Sequence, residues 1–191
     1  MMLFKERMGL MPKNILVLHA SPRLNGNSHT LAETFITGSE AAGNWVKRIN
    51  VALAKVEPCT ACEYCRTHEH QCCQDDDMQK IYPSIIGSDC IVLAAPLYFY
   101  DWPAQLKLVI DRLYAFGPQY QIRHKETALL MTAADKDPQA FSGAEKSYEL
   151  ALVDYLQWKD RGRILVNGVN AAGSIQDNPA LVEAYKLGFS I

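Results

Sequence analysis

No run of apolar residues in this chain is long enough to span a bilayer, and its start lacks the hydrophobic core of a signal peptide, so a cytoplasmic protein with no membrane partner is expected. An excess of one charge is also missing. Nineteen Lys and Arg are set against 21 Asp and Glu, for a net charge of −2, and the basic residues are scattered, which leaves out the electrostatic footprint of a nucleic-acid binder. There is no Gly-Lys-Ser/Thr phosphate loop and no G-x-G-x-x-G, which disfavours nucleoside triphosphate binding and NAD binding at the first turn. His19, His29, His68, His70 and His124 are dispersed and form no Ser-His-Asp or Cys-His array, so each is expected on a surface or loop, and no catalytic side chain is assigned. No internal repeat or low-complexity linker divides the 191 residues. One domain is expected over residues 12–191. Residues 1–11, with four methionines and Lys5-Glu6-Arg7, read as an extension, with Met11 the expected natural start.

What the chain does have begins after the apolar run Asn14 to His19. Ser21-Pro22-Arg23-Leu24-Asn25-Gly26-Asn27-Ser28-His29-Thr30 packs hydroxyls, amides, one glycine and one arginine between a strand-like run and the helical spacing of Leu31, Phe35 and Ile36. A loop at a strand end and helix start offers unpaired first-turn amides and a positive dipole. It can therefore cradle a phosphate through backbone N–H groups, hydroxyls of Ser21, Ser28 or Thr30, and the charge of Arg23. The competing reading is an N-cap at Asn27 or Ser28 beside a solvated arginine; the length of the loop and its density of polar groups favour the cradle.

Strand-like and helix-like segments then alternate. Trp45 to Val51 reads as a half-buried strand, and Asp75-Asp76-Asp77 as the acidic opening of a helix with Met78, Ile81, Tyr82, Ile85 and Ile86 on its apolar face, ending at Gly87. Cys90 to Ala95 is continuously apolar, as for a central parallel strand, which makes Cys90 a packing residue. Leu106, Val109, Ile110 and Leu113 mark another helix, Thr127 to Thr132 a fourth strand, and Ser142 with Glu145 a capping box before a helix that turns Tyr148, Leu152 and Tyr155 inward. Arg163 to Val166 is a short fifth strand, and Asn178-Pro179 starts a last helix to about Leu187. Such alternation predicts an α/β fold with a parallel sheet covered on both faces and ligands beyond the carboxyl ends of the strands. The Ser21–Thr30 loop, the Pro96–Pro103 loop and Ala133-Ala134-Asp135 all fall there.

Tyr98, Phe99, Tyr100 and Trp102 crowd between Pro96 and Pro103, a surface suited to a flat ligand whose polar edge meets backbone amides, or to a subunit interface. Upstream, Cys59-x2-Cys62-x2-Cys65-x6-Cys72, with Cys73 adjacent as a competing fourth ligand, is compact enough to wrap a [4Fe–4S] cluster. Zinc on four thiolates near His68 or His70, and plain reduced thiols, stand beside that reading.

Ser21-Pro22-Arg23-x-x-Gly26-Asn27-Ser28 followed by Pro96-Leu97-Tyr98-Phe99-Tyr100 and Pro103-Ala104-Gln105-Leu106-Lys107-x-x-Ile110-Asp111-Arg112 resembles the NAD(P)H-dependent FMN reductase and iron–sulfur flavoprotein branch of the flavodoxin-like fold, from about Asn14 to Leu187. The resemblance implies a three-layer α/β/α sandwich with a five-stranded parallel sheet in the order 2-1-3-4-5. It also implies FMN, with NAD(P)H as co-substrate: the phosphate on Ser21, Arg23, Asn27 and Ser28, with Asn25 in the same loop, and the ring edge at Pro96, Leu97, Tyr98, Phe99 and Tyr100. The third loop, Ala133, Ala134 and Asp135, lacks the glycines common there. The cysteine spacing resembles the cluster motif of iron–sulfur flavoproteins, which would make Cys59, Cys62, Cys65 and Cys72 the ligands. Implied partners are a small acceptor (quinone, azo compound, nitroaromatic or free flavin), a second copy in a homodimer or dimer of dimers, and, for a cluster-bearing carrier, a ferredoxin-like donor.

Overall fold

The computed structural model describes residues 11–116, 122 and 124–191. The sequence-predicted extension therefore lies outside the described residues except for Met11, which is exposed. Five strands, β1 (Asn14–His19), β2 (Trp45–Asn50), β3 (Cys90–Pro96), β4 (Glu126–Thr132) and β5 (Lys159–Val166), form one parallel sheet in the order β2-β1-β3-β4-β5. The sheet separates helices α1 (Asn27–Ala41) and α6 (Ala180–Ser190) on one face from α3 (Met78–Gly87), α4 (Ala104–Arg112) and α5 (Ser142–Tyr148) on the other. A single turn, α2 (Tyr64–Thr67), lies within the cysteine segment.

The apolar alternation explains this layering. Ile15, Val17, Val92, Ala94, Ala128 and Leu130 point to the side of Leu31, Phe35 and Ala184, while Leu16, Leu18, Ile91, Leu93, Leu129 and Met131 point to the side of Met78, Ile85, Leu106, Val109 and Tyr148. The inner strands β1, β3 and β4 feed both cores, hence their unbroken apolar runs. Helices α1 and α6 meet backbone to backbone. A Cβ built on Gly38 would lie 2.1 Å from the Tyr185 carbonyl oxygen, and one on Gly188 would lie 2.0 Å from that of Phe35.

Four local expectations are corrected. Ile86 at the end of α3 is exposed, although the acidic run does open that helix: Asp76 Oδ1 accepts from Met78 N (2.9 Å), and Asp76 and Asp77 also accept from the amides of Glu57 and Lys55 and so tie down the cysteine segment. Ser142 and Glu145 form no capping box, since Asp137 caps an earlier 3-10 turn, Pro138–Phe141, by accepting from Gln139 N, and that turn runs directly into α5. Beyond α5 the chain continues as a π-helix, Glu149–Tyr155, whose i→i+5 bonding changes the period, so Leu152 stays buried while Tyr155 swings out to solvent. Strand β5 starts earlier than its apolar part; Lys159–Gly162 belongs to a sheet edge with a bulge opposite Thr127–Leu129.

Candidate functional site

One cleft lies at the carboxyl ends of the strands, lined by Ser21, Arg23, Gly26, Asn27 and Ser28 from the first loop, Pro96, Leu97 and Tyr98 from the second, Thr132 and Ala134 from the third, and Val169 and Asn170 after β5. The three loops singled out from sequence are thus brought together. The fourth was missed, although Asn167-Gly168-Val169-Asn170 is a polar, glycine-bearing run at a strand end, which was the available signal. It is locked to the third loop by Gly168 N to Asp135 O (2.8 Å) and Val169 N to Ala133 O (2.9 Å).

The first loop is built around Gly26. Its amide donates to Arg23 O (3.1 Å), while Ser21 Oγ accepts from Arg23 N (3.2 Å). Gly26 is needed for space, its φ being an ordinary −75°: an added Cβ would lie 3.2 Å from each of Arg23 Cβ, Arg23 O and Ser21 Oγ. The first bond of α1 is Thr30 N to Gly26 O (3.0 Å), so the amides of Asn27, Ser28 and His29 precede the helical ladder and are available as donors at the helix start. The buried hydroxyls of Ser21 and Ser28 stand beside them, and Arg23 makes no ion pair among the described residues. Two residues do other work. Thr30 Oγ1 bonds back to Gly26 O at 3.3 Å. The buried Asn27 side chain reaches the β5–α6 connection, donating to Ala171 O (2.9 Å) and Ser174 Oγ (3.2 Å) and accepting from Ile175 N (3.2 Å). Asn27 contributes a backbone amide to the cradle; its side chain is a strut. Asn25 is exposed and does not line the cleft.

In the second loop, the Leu97 amide is already bonded to Thr132 O (2.8 Å), and Tyr98 N and Asp101 N exchange bonds with each other's carbonyls at 3.0 and 3.1 Å. This leaves the amides of Phe99 and Tyr100 for a ligand edge. Both residues are left-handed, at φ 50° and 66°, in the two-residue turn between Tyr98 and Asp101, a conformation usually left to Gly or Asn. Phe99 is wholly exposed and Tyr100 largely so, at the rim and not in the cleft lining, whereas Trp102 is buried in the core under α4 and α5. Ala133 is buried by its bond to Val166 O, and Asp135 is exposed, with Oδ1 accepting from Asp137 N; neither lines the cleft.

His19 corrects the surface reading of the histidines. It is 6% exposed at the end of β1, its Nε2 has no partner among the described residues, and its ring meets His29 edge-on at 5.1 Å. Burial first, then His29, push its pKa down to about 4, against the pull of Glu33. An unfolded chain takes up the proton near 6.5 and the folded one only near 4, so stability is lost as pH falls through that interval. Between pH 7 and pH 5 the expected loss from this residue is about 2 kcal/mol. Urea unfolding of the chain and of His19→Leu at both pH values checks it, since the variant should lack that part of the drop.

A family model described as NADPH-dependent FMN reductase matches residues 13–149. The chain belongs to that family. It is a flavin-dependent oxidoreductase with FMN as cofactor and NAD(P)H as co-substrate. An iron-sulfur flavoprotein of Methanosarcina thermophila is 29% identical over 85% of this chain and 82% of that protein. An iron-sulfur flavoprotein of Archaeoglobus fulgidus is 30% identical over 55% of this chain and 47% of that protein. Among solved structures, an NAD(P)H:quinone oxidoreductase from Methanothermobacter marburgensis superposes with a TM-score of 0.73 at 20% identity, covering 94% of this chain and 96% of that one. An azoreductase from Bacillus anthracis superposes at 0.71 with 17% identity, covering 94% and 100%. These two share the flavodoxin-like fold.

The cleft suits the phosphate end of FMN: a cradle that a single Cβ would fill, three first-turn amides and two buried hydroxyls. Asn27→Ala removes the partner of Ser174 Oγ and Ile175 N and one of the two donors to Ala171 O, which keeps Ser174 N, at an expected cost of about 2 kcal/mol. FMN affinity should fall several-fold as the fourth loop loosens, with Asn27→Asp recovering little because it cannot donate. Urea unfolding and flavin fluorescence titration read the two effects.

The cysteines form a second constellation. Cys59, Cys62, Cys65, Cys72 and Cys73 all line one small pocket with Tyr114, Ala115 and Arg112. Cys62 Sγ and Cys73 Sγ are 3.7 Å apart, and no three His, Cys, Asp or Glu side chains among the described residues converge as a ready metal site. The donor set fits an iron–sulfur cluster in chemistry and in its partly apolar walls. Cys65 and Cys72 pack against the core, while Cys59, Cys62 and Cys73 are exposed. Burial chiefly, opposed by a backbone hydrogen bond and aided by the charge of Cys72, Cys62 and Cys59, pushes the Cys65 thiol up. Arg112 is 1% exposed, and its Nε has no partner among the described residues. Its other nitrogens bond Asp76 and Glu57 O, so the guanidinium clamps both ends of the cysteine segment. Cys90 is separate, fully buried in β3, its thiol pushed up to about 12 chiefly by burial.

Proposed function

We propose that this protein takes a hydride from NAD(P)H and passes the electrons to a small acceptor of the quinone, azo, nitroaromatic or free-flavin class. The observation that carries this reading is the cleft itself: an anion cradle on Ser21–Ser28 leads directly to Pro96, Leu97 and Tyr98, with the Phe99 and Tyr100 amides at the rim. Bound FMN supplies hydride acceptance at its N5, so the protein needs no side-chain acid or base. Its residues orient and exclude. The first-turn amides and Arg23 fix the phosphate end, the strand-end loops fix the ring, and the open rim admits nicotinamide and acceptor in turn. A second copy meeting the bare Phe99 turn would complete that rim, in keeping with a homodimer.

One observation favours a second reading. Five cysteines lining one pocket, together with relatives named iron-sulfur flavoproteins, support a [4Fe–4S] cluster on Cys59, Cys62, Cys65 and Cys72 that relays electrons between a ferredoxin-like donor and FMN. The test of both is anaerobic purification with iron, sulfide and zinc assays, followed by rapid mixing with NADH, NADPH or reduced ferredoxin. Fast bleaching of the flavin band by a nicotinamide supports the first reading. About four irons per chain with bleaching only by the protein donor supports the second. A colourless chain that takes up no added FMN overturns both.

A further inference from the structure

We infer that Cys62 and Cys73 are a redox-active dithiol that closes to a disulfide when the cysteine pocket is empty, removing Cys62 from the metal-binding set. The gating half of this inference rests on the cluster reading above; the dithiol half does not. The pocket holds five thiols where a cubane cluster takes four, so one cysteine is surplus. Its position identifies it. Cys72 is half-buried, packed against the core beside Arg112 and Tyr82, whereas Cys73 is exposed and turned to the equally exposed Cys62, with the sulfurs 3.7 Å apart.

The two backbones are held together independently of the sulfurs. Gln74 Nε2 donates to Pro58 O (3.1 Å), and Gln79 Nε2 donates to Cys72 O (3.0 Å) and Gln74 O (2.8 Å), which joins the entry and exit of the loop. Left-handed, non-glycine residues flank Cys62 on both sides, Ala61 at φ 52° and Glu63 at φ 58°. Closing to a covalent bond of about 2.05 Å asks the sulfurs, now 3.7 Å apart, to approach by less than the width of one atom. Tetrahedral zinc would also bring two thiolates to about 3.8 Å, given bonds of about 2.3 Å. The 3.7 Å approach of Cys62 and Cys73 is a thiol–thiol hydrogen-bond contact that no third ligand among the described residues joins, and the zinc assay below separates the two cases.

The oxidant is a low-molecular-weight disulfide of the glutathione type. The Cys62 thiolate attacks one of its sulfurs, forming a mixed disulfide and releasing one thiolate. The Cys73 thiolate then attacks Cys62 Sγ, forming the Cys62–Cys73 bond and releasing the second thiolate. Two protein thiols are oxidised, one disulfide is reduced to two thiols, and the two protein protons pass to the released thiolates. A dithiol reductant reverses the reaction. Closure keeps Cys62 off the path to irreversible sulfinic acid and bars iron until reduction.

The full-length chain, stripped with a chelator, is incubated with oxidised glutathione, capped with N-ethylmaleimide and digested with trypsin, which cuts after Lys55, Arg66 and Lys80 and so separates Cys62 from Cys73. Fragmentation of the joined peptides is expected to place the crosslink at Cys62 and Cys73. Iron and sulfide uptake by the oxidised chain should fall at least tenfold and return fully with dithiothreitol. Cys73→Ser should keep the full iron content, form no such crosslink and take up iron at the same rate after glutathione treatment. A dominant crosslink through Cys72, or none, overturns the dithiol while leaving the cluster reading intact. Loss of iron in Cys73→Ser with retention in Cys72→Ser overturns the assignment of Cys73 as surplus. One zinc per chain held by Cys62 and Cys73 overturns it as well. A chain that closes this pair but binds no iron in either state supports the dithiol and sinks the cluster reading and the gate together.

Discussion

Arg112→Met is expected to cost about 3–5 kcal/mol of stability, because it strands the buried carboxylate of Asp76 without a counter-ion. The pair is closely made: Arg112 Nη1 to Asp76 Oδ2 is 2.6 Å and Nη2 to Oδ1 is 3.3 Å, with side-chain exposures of 1% and 7%. Burial raises the Asp76 pKa, but the Arg112 hydrogen bonds and the amides of Glu57 and Met78 outweigh it and hold the carboxyl below its ordinary value. Arg112, disfavoured by the same burial, is held charged by Asp76. The stabilisation is therefore complete above the ordinary carboxylate pKa and is lost only as pH falls through the lowered value of Asp76. Urea unfolding at neutral pH should show the full deficit, and the deficit should shrink in strong acid. Asp76→Leu combined with Arg112→Met should recover part of it, since removing both charges leaves no orphan. Arg112→Lys keeps the charge and loses the fork, so Asp76 and Glu57 O cannot both be reached. Each variant should also be cleaved faster by trypsin after Lys55 and Arg66, because the guanidinium joins the two ends of the cysteine segment.

That clamp shows where sequence reasoning reaches its limit. Residues whose surroundings are local or periodic were legible: the double-sided burial of β1, β3 and β4 follows from unbroken apolar runs, and the sheet order followed once two loop motifs suggested a fold. The gathering of the loop ends into one cleft followed from parallel topology. Residues defined by a distant partner were not legible. Arg112 closes a motif that pointed to a family and Asp76 lies in an acidic run that pointed to a helix start, but neither context pairs it with the other, 36 positions away. Asn27 has the sequence context of a helix cap, while its amide is spent on partners 144 to 148 positions away. His19 closes an apolar run, and its burial depends on α1 folding back over it. Tyr155 fails for another reason: a helical period was extrapolated through a stretch whose hydrogen bonding changes to i→i+5.

Gly188→Ala should destabilise the fold by about 3 kcal/mol or more, at the upper end for overpacking and despite the higher helix propensity of alanine. The new Cβ would lie 2.0 Å from Phe35 O and 3.0 Å from Ser39 N, and both are backbone atoms that no rotamer change can move aside. Gly38→Ala presents the mirror problem, 2.1 Å from Tyr185 O. Either change must push α1 and α6 apart, so the double variant should cost clearly less than the sum of the singles, because one separation relieves both collisions. Gly87→Ala is the control: it ends α3 with nothing within 4 Å of the added carbon and should be neutral or mildly stabilising. The site will register the displacement. Helix α6 carries the connection that Asn27 grips, and α1 carries the first-turn amides, so parting them opens the phosphate cradle from both sides. Urea unfolding ranks the three glycine variants, and FMN titration at a temperature where all remain folded should show weakened binding for Gly188→Ala and Gly38→Ala alone. Unchanged affinity in both would mean that the cradle is held by the loops without the helix pair.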